Sequence, residues 1–330
     1  MRSLKFHGNK VLSIDDVPTP IPQSDEVLIR TAVSAICGSE MGCYRGNGQE
    51  SGNPGHEAAG TIIALGPEVK NLMIGQRVGV SAIAGCGHCI HCDKGESTWC
   101  AERRFYGNMH AEQFIAAETA CHVLPDDISW VSGVLITGDG FGVPYHSSTK
   151  IISPDARTVA IFGAGPIGLG NIIMQKHLGR NVLAVDMSPE RLNFAKQFGA
   201  DILLNPTEYD VLEEIKKWTN GHGADICIEA AGRQETVRSC FAAVRSGGQI
   251  IFNGEQGRIE FSISEDFIRR DITATGSWFY QFHEFDAMLE LYRSGLNVSQ
   301  LISDRFPFEE AVKAYEKFSG GKSAKVLLYY

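Results

Sequence analysis

The chain has little that would suit a membrane, a secretory route or a nucleic acid. Its N-terminus, Met-Arg-Ser-Leu-Lys-Phe-His-Gly-Asn-Lys, holds no apolar run long enough for a signal peptide, and no later stretch reaches the length of a membrane span. There is no internal repeat, no low-complexity tract and no block of like charge that reads as a tail. Basic residues are in deficit: 30 Lys and Arg stand against 39 Asp and Glu, and the net charge of -9 leaves no electrostatic footprint for nucleic acid or an anionic membrane. A cytoplasmic chain acting on a small molecule is the expectation.

What is present is an ordinary globular composition, 43% hydrophobic and 21% charged, over 330 residues. That length exceeds the size at which one core stops growing, so two domains are expected. Four of the nine cysteines, Cys86, Cys89, Cys92 and Cys100, fall within fifteen residues. Spacings of three, three and eight let four thiolates wrap one tetrahedral ion, and a closed set of sulfurs leaves zinc no open position, so this lobe reads as structural. A pair of disulfides is the alternative, and a reducing cytoplasm opposes it. Cys43, Cys121, Cys227 and Cys240 follow no pattern and read as small core hydrophobes.

From about residue 150 to 275, short β-branched runs alternate with amphipathic stretches. The strands expected are Thr158 to Phe162, Val182 to Asp186, Ile202 to Leu204, Asp225 to Glu229, Gln249 to Phe252 and Ile272 to Thr275, with helices between most of them, one of them from Thr207 to Trp218. Such alternation points to a doubly wound parallel sheet. The first strand runs into Gly163-Ala164-Gly165-Pro166-Ile167-Gly168, a Gly-x-Gly-x-x-Gly turn, and the second ends at Asp186, about twenty residues on, where a carboxylate can take both ribose hydroxyls of an adenine dinucleotide. A carboxylate there would repel a 2′-phosphate, which favours NAD over NADP; Arg191, one turn into the next helix, is the residue that would oppose this preference.

The first 140 residues differ. Val27 to Val33, Glu57 to Leu65, Gln76 to Ala82 and Ala111 to Ile115 read as strands between glycine and proline turns, with little helical periodicity before Ser129, as in a small irregular barrel. After residue 275 come helical segments from His283 to Ser294 and from Phe308 to Ser319 and a last strand, Ala324 to Tyr330. This tail is too short to stand alone and is expected to pack onto the first domain.

A barrel, a four-cysteine lobe and a Gly-x-Gly-Pro-x-Gly nucleotide domain in that order resemble the zinc-dependent medium-chain alcohol dehydrogenases over essentially the whole chain. Cys37-Gly38-Ser39-Glu40 followed by Gly55-His56-Glu57 is similar to the polyol (sorbitol) and threonine dehydrogenase branch. The resemblance implies an α/β protein. A GroES-like β-barrel catalytic domain would cover 1–146 and 276–330, with a zinc lobe at about 85–101, and a Rossmann NAD-binding domain 147–275. It implies that Cys37 and His56 hold a catalytic zinc and that Ser39 hydrogen-bonds the substrate hydroxyl. The third ligand of the family lies near the start of the helix before the nucleotide domain. In Leu135 to His146 the one carboxylate is Asp139, whose other reading is a helix cap. Glu57 is then the exchangeable ligand. The family's relay histidine is replaced by Gly42. Glu40, Tyr44 and Arg45 are near in sequence and read as surface residues unless geometry says otherwise.

A thiolate and an imidazole fill a zinc site only partly, leaving room for a substrate oxygen. A secondary hydroxyl of a polyol, cyclitol or sugar derivative is the expected substrate, because Arg45 to Asn53 is polar and glycine-rich. Gly276-Ser277-Trp278-Phe279-Tyr280 would line a cleft between the domains or serve as hinge or dimer packing. L-Threonine 3-dehydrogenase-like oxidation and a non-catalytic NAD-binding scaffold are the rival readings. A homodimer or homotetramer is implied by the family.

Overall fold

Eleven residues, Glu26–Ile36, carry β-branched or small apolar side chains at most positions, and both faces of the strand they form are buried. In the computed structural model, which describes residues 1–330, this strand organises the first of two compact units, Met1–Gly142 with Tyr280–Tyr330. One of its edges pairs antiparallel with Ala58–Leu65. The other pairs with Gln113–Ala117 along its first half and with the last strand, Lys325–Tyr329, along its second. Arg77–Val80, Cys121–Val123 and Ile302–Pro307 complete a seven-stranded sheet. Val27, Ile29, Ile62, Val78 and Phe114 fill one core, and Leu4, Phe6, Ile36, Tyr315 and Leu328 another.

The second unit, Val143–Phe279, is a six-stranded parallel sheet. Its spatial order is Ile202–Leu204, Asn181–Val185, Thr158–Phe162, Ala224–Glu229, Val244–Phe252 and Thr273–Gly276. The order reverses between Thr158–Phe162 and Ala224–Glu229, the switch point at which such sheets bind dinucleotides. Helices follow local signals. Pro166 and Pro189 occupy first turns, and Ser188 caps Pro189–Gln197 by accepting from the Arg191 amide at 3.3 Å.

The structure departs from the sequence pattern at several elements. Arg2–Gly8 and Val11–Asp16 form a hairpin that the pattern did not reveal: its turn is Asn9 and Lys10, both at positive φ (52° and 65°), with lysine where such turns usually signal themselves by glycine. The helix expected from Thr207 begins at Val211, because Asp210 caps it and Asn205 ties Thr207 into a turn. The segment expected from Gln249 is a longer strand, Val244–Phe252, with a bulge against its neighbour. A 3-10 turn precedes each of the last two helices, which run Phe285–Arg293 and Ala311–Ser319. Cys121, Cys227 and Cys240 are buried as expected, whereas Cys43 is only half-buried. No helix is long and apolar enough to cross a membrane.

Candidate metal centre and dinucleotide turn

Four residues from three separate stretches of sequence meet in the first unit. Cys37 ends the strand Glu26–Ile36, His56 and Glu57 precede Ala58–Leu65, and Asp139 opens the helix Asp139–Thr149. Their ligand atoms all lie within 4.8 Å of one another. Asp139 Oδ2 is 3.3 Å from Cys37 Sγ and 3.2 Å from His56 Nε2. His56 Nδ1 donates to the Pro54 carbonyl at 2.9 Å, which leaves Nε2 as the ring nitrogen that faces the cluster. Asp139 thus sits at a helix start, yet its side chain turns to the cluster.

Electrostatics favour a cation here. Burial raises the Cys37 pKa, and the adjacent Asp139 raises it further. Burial also opposes charge on His56, but Cys37 and Asp139 outweigh it and hold its pKa well above the ordinary value. Asp139 Oδ1 and Glu57 Oε2 are buried without a hydrogen-bond partner. A thiol, an imidazole and carboxylates that converge with unsatisfied oxygens fit zinc in both donor type and crowding.

Two features were not legible in sequence. The first is Lys325, fully buried, whose Nζ donates to Glu57 Oε1. It comes from the opposite end of the chain. The second is Glu40, which is 1% exposed and not a surface residue. Burial works against its charge, and His110, His56 and Tyr315 reverse that and hold its pKa below the usual carboxylate value. Tyr44 is likewise buried, in the core beside Tyr315, at a ring separation of 5.6 Å. Arg45 is exposed and donates to the Ser319 carbonyl at 2.9 Å. Ser39 is exposed within the 3-10 turn Gly38–Glu40, two residues from Cys37. Tyr280 is buried and donates to the Thr137 carbonyl at 2.9 Å, whereas Trp278 is partly exposed.

The four-cysteine lobe is a second cluster, with no disulfide. Cys92 Sγ lies 3.8 Å from Cys86 Sγ and 3.6 Å from Cys89 Sγ. Tetrahedral zinc with Zn–S bonds of about 2.3 Å needs S···S edges of about 3.8 Å, which these two separations approach, and all four sulfurs lie within 4.8 Å of one another. The Cys86 amide also points at Cys100 Sγ, 3.4 Å away, a donor suited to a thiolate.

In the second unit, Gly163 has φ +99°, and a Cβ there would meet the Ala231 amide at 2.8 Å. A Cβ on Gly168 would lie 1.8 Å from the Gly163 carbonyl, so helix and turn pack through glycine. At Gly165, the N-cap residue before Pro166 and Ile167, a Cβ would meet nothing within 4 Å. That open space, at a helix N-terminus, suits a pyrophosphate. Asp186 Oδ2 accepts from the Ala164 amide at 2.7 Å and Oδ1 from Ser188 at 2.8 Å, which ties the carboxylate to the glycine turn. Arg191 Nη1 stands 3.9 Å from Asp186 Oδ2.

A switch-point glycine turn on one unit and a buried thiol–imidazole–carboxylate cluster on the other define a metal- and dinucleotide-using oxidoreductase. Residues 23–126 match the alcohol dehydrogenase GroES-like domain, and residues 166–294 the zinc-binding dehydrogenase domain. The chain is 31% identical to a sorbitol dehydrogenase of Bacillus subtilis (strain 168), covering 100% of this chain and 97% of that protein. It is 30% identical to an L-threonine 3-dehydrogenase of Symbiobacterium thermophilum, covering 99% and 97%. An alcohol dehydrogenase from Escherichia coli CFT073, solved with NADH, superimposes with a TM-score of 0.88 at 25% identity, covering 100% and 99%. The chain belongs to the zinc-dependent medium-chain alcohol dehydrogenase family, in its polyol and threonine dehydrogenase-like branch, and is an enzyme.

Proposed function

We propose that this enzyme oxidises a secondary hydroxyl of a polyol, cyclitol or sugar derivative to the ketone, passing the hydride to NAD and the hydroxyl proton to solvent. The convergence of Cys37, His56 and Asp139 in one buried cluster carries the reading. The polyol class is supported by full-length similarity to a sorbitol dehydrogenase and by the polar loop Arg45 to Asn53.

Cys37, His56 and Asp139 would hold a catalytic zinc, and Cys86, Cys89, Cys92 and Cys100 a structural one. The catalytic ion, when bound, lowers the pKa of the substrate hydroxyl. Ser39 would accept a hydrogen bond from the substrate hydroxyl, and the proton would leave through water, a cofactor ribose hydroxyl or another group, since Gly42 offers no side chain for a relay. Glu57 would be the exchangeable ligand through Oε2, which has no partner, while Lys325 holds Oε1. Gly163 makes the tight turn, Gly165 lets the backbone approach the pyrophosphate, Gly168 lets the helix pack on the turn, and Asp186 takes the ribose hydroxyls and disfavours a 2′-phosphate. A cytoplasmic homodimer or homotetramer belongs to the same proposal.

The test is a substrate panel with NAD and NADP, following nicotinamide reduction. Turnover of sorbitol, xylitol or inositol with NAD is expected, and turnover of simple primary alcohols alone would reject the polyol reading. Threonine-dependent NADH formation would instead place the enzyme with the threonine dehydrogenases. No turnover at all, with Cys37→Ser leaving metal content unchanged, would favour a non-catalytic scaffold.

A further inference from the structure

His110 is fully buried, and its backbone and ring are both held. Its amide donates to Asn53 Oδ1 at 3.1 Å, and its carbonyl accepts from Asn53 Nδ2 at 3.3 Å, which clamps it to the start of the loop carrying His56. Its ring lies against Gly55: a Cβ there would stand 2.4 Å from the His110 Cδ2. The side chain next to the metal ligand is absent so that this ring can fit.

The ring nitrogens face two polar partners. Nε2 lies 3.3 and 3.2 Å from the two oxygens of Glu40, and Nδ1 lies 2.8 Å from Ser34 Oγ, which is itself 3.0 Å from Tyr330 Oη. An ionised carboxylate only accepts, so Nε2 donates to Glu40. Tyr315 donates to the same carboxylate and meets the His110 ring edge-on at 5.9 Å. The Glu40 carboxylate held in this way reaches to 3.8 Å from His56 Nδ1. Glu40, His110, Tyr315 and Ser34, each with 0 or 1% exposure, and Tyr330, bonded to Ser34, therefore form one polar chain behind a single cluster-facing imidazole. Buried polar networks are costly unless fully satisfied, and when satisfied they fix geometry.

We infer that His110 is a positioning residue for the metal centre: it holds both the Gly55–His56 loop and the Glu40 carboxylate behind His56, and so sets how firmly the centre keeps its ion. The inference rests on the zinc reading of the Cys37, His56 and Asp139 cluster. Partners outside the ligand set typically change metal affinity by about 10- to 100-fold.

The experiment uses purified holoenzyme and its cobalt-substituted form. In His110→Phe the ring volume and the edge contact with Tyr315 remain, but both ring hydrogen bonds are lost. Expected are at least about 10-fold faster loss of one of two zinc ions to a chelator, a shifted cobalt absorption spectrum and a lower kcat with KM for NAD unchanged. The four-cysteine zinc should stay, serving as the internal control for folding. Tyr315→Phe and Ser34→Ala each remove one bond of the network and should weaken retention in the same direction, which keeps the test decisive if His110→Phe fails to fold. Wild-type zinc retention and spectrum in all folded variants would overturn the inference while leaving the metal reading intact. A wild-type enzyme that binds only one zinc would overturn both.

Discussion

At the scale of single residues, the informative side chains are buried polar ones that no motif flags. His122 is 3% exposed and stacks on Phe282 and Phe285 with ring centroids 4.1 and 4.4 Å away. Burial drives its pKa down to about 3. Between that value and the unfolded value of about 6.5, the unfolded chain binds a proton that the folded chain refuses, so stability is present above the window and is lost as pH falls through it. The wild type should therefore lose roughly 2 kcal/mol more than His122→Phe between pH 7 and pH 5 in urea unfolding. Equal losses would refute this. Lys325 presents the opposite case, a charge that is paired. Lys325→Met strands Glu57 as a lone buried carboxylate and should cost about 3–5 kcal/mol, of which adding Glu57→Gln restores most. A cost under about 1 kcal/mol would mean that water already reaches the pair.

At the scale of elements, the glycine turn separates two roles that its motif merges. Gly165→Ala adds a methyl group to open space, so melting should be unchanged while the NAD dissociation constant rises at least about 10-fold, as expected when a pyrophosphate loses its close backbone approach. Gly168→Ala drives a methyl group into the Gly163 carbonyl and should instead lower the melting temperature. Reversed outcomes in calorimetry and NAD titration would exchange the two roles. On the zinc reading, the four-cysteine lobe would be a staple that performs no chemistry. Cys100→Ser should release one zinc and expose residues 85–101 to protease, with the substrate preference unchanged; an altered preference would show that the lobe shapes the active site. Elements were legible where local chemistry announces them, as with Pro166 and Ser188 at helix starts. They were hidden where it does not, as at Asn9 and Lys10, where side-chain-bearing residues adopt a turn that usually advertises itself with glycine.

At the scale of the whole molecule, cofactor binding should report on Asp186. A ligand that binds only the folded state stabilises it by mass action, about 2.7 kcal/mol at 100 times its dissociation constant. NAD should raise the melting temperature more than equimolar NADP, and Asp186→Ala should narrow that gap; an equal response to both cofactors in the wild type would count against the carboxylate's role. The parallel sheet, the glycine turn and the cysteine lobe could be read from the sequence alone, because each is written in residues close together along the chain: a period, a turn, a ligand spacing. Cys37, His56 and Glu57 were legible only through the family resemblance that Cys37-Gly38-Ser39-Glu40 and Gly55-His56-Glu57 carry. The Glu57–Lys325 pair and the buried state of Glu40 were decided only by tertiary structure. Lys325 is 268 positions from Glu57 and Tyr315 is 275 from Glu40, and only the pairing of Lys325–Tyr329 with Glu26–Ile36 brings the end of the chain back to the Cys37, His56 and Asp139 cluster. Whether a charged residue is solvated or buried depends on what packs over it, and that is a property of the fold rather than of its neighbours in sequence.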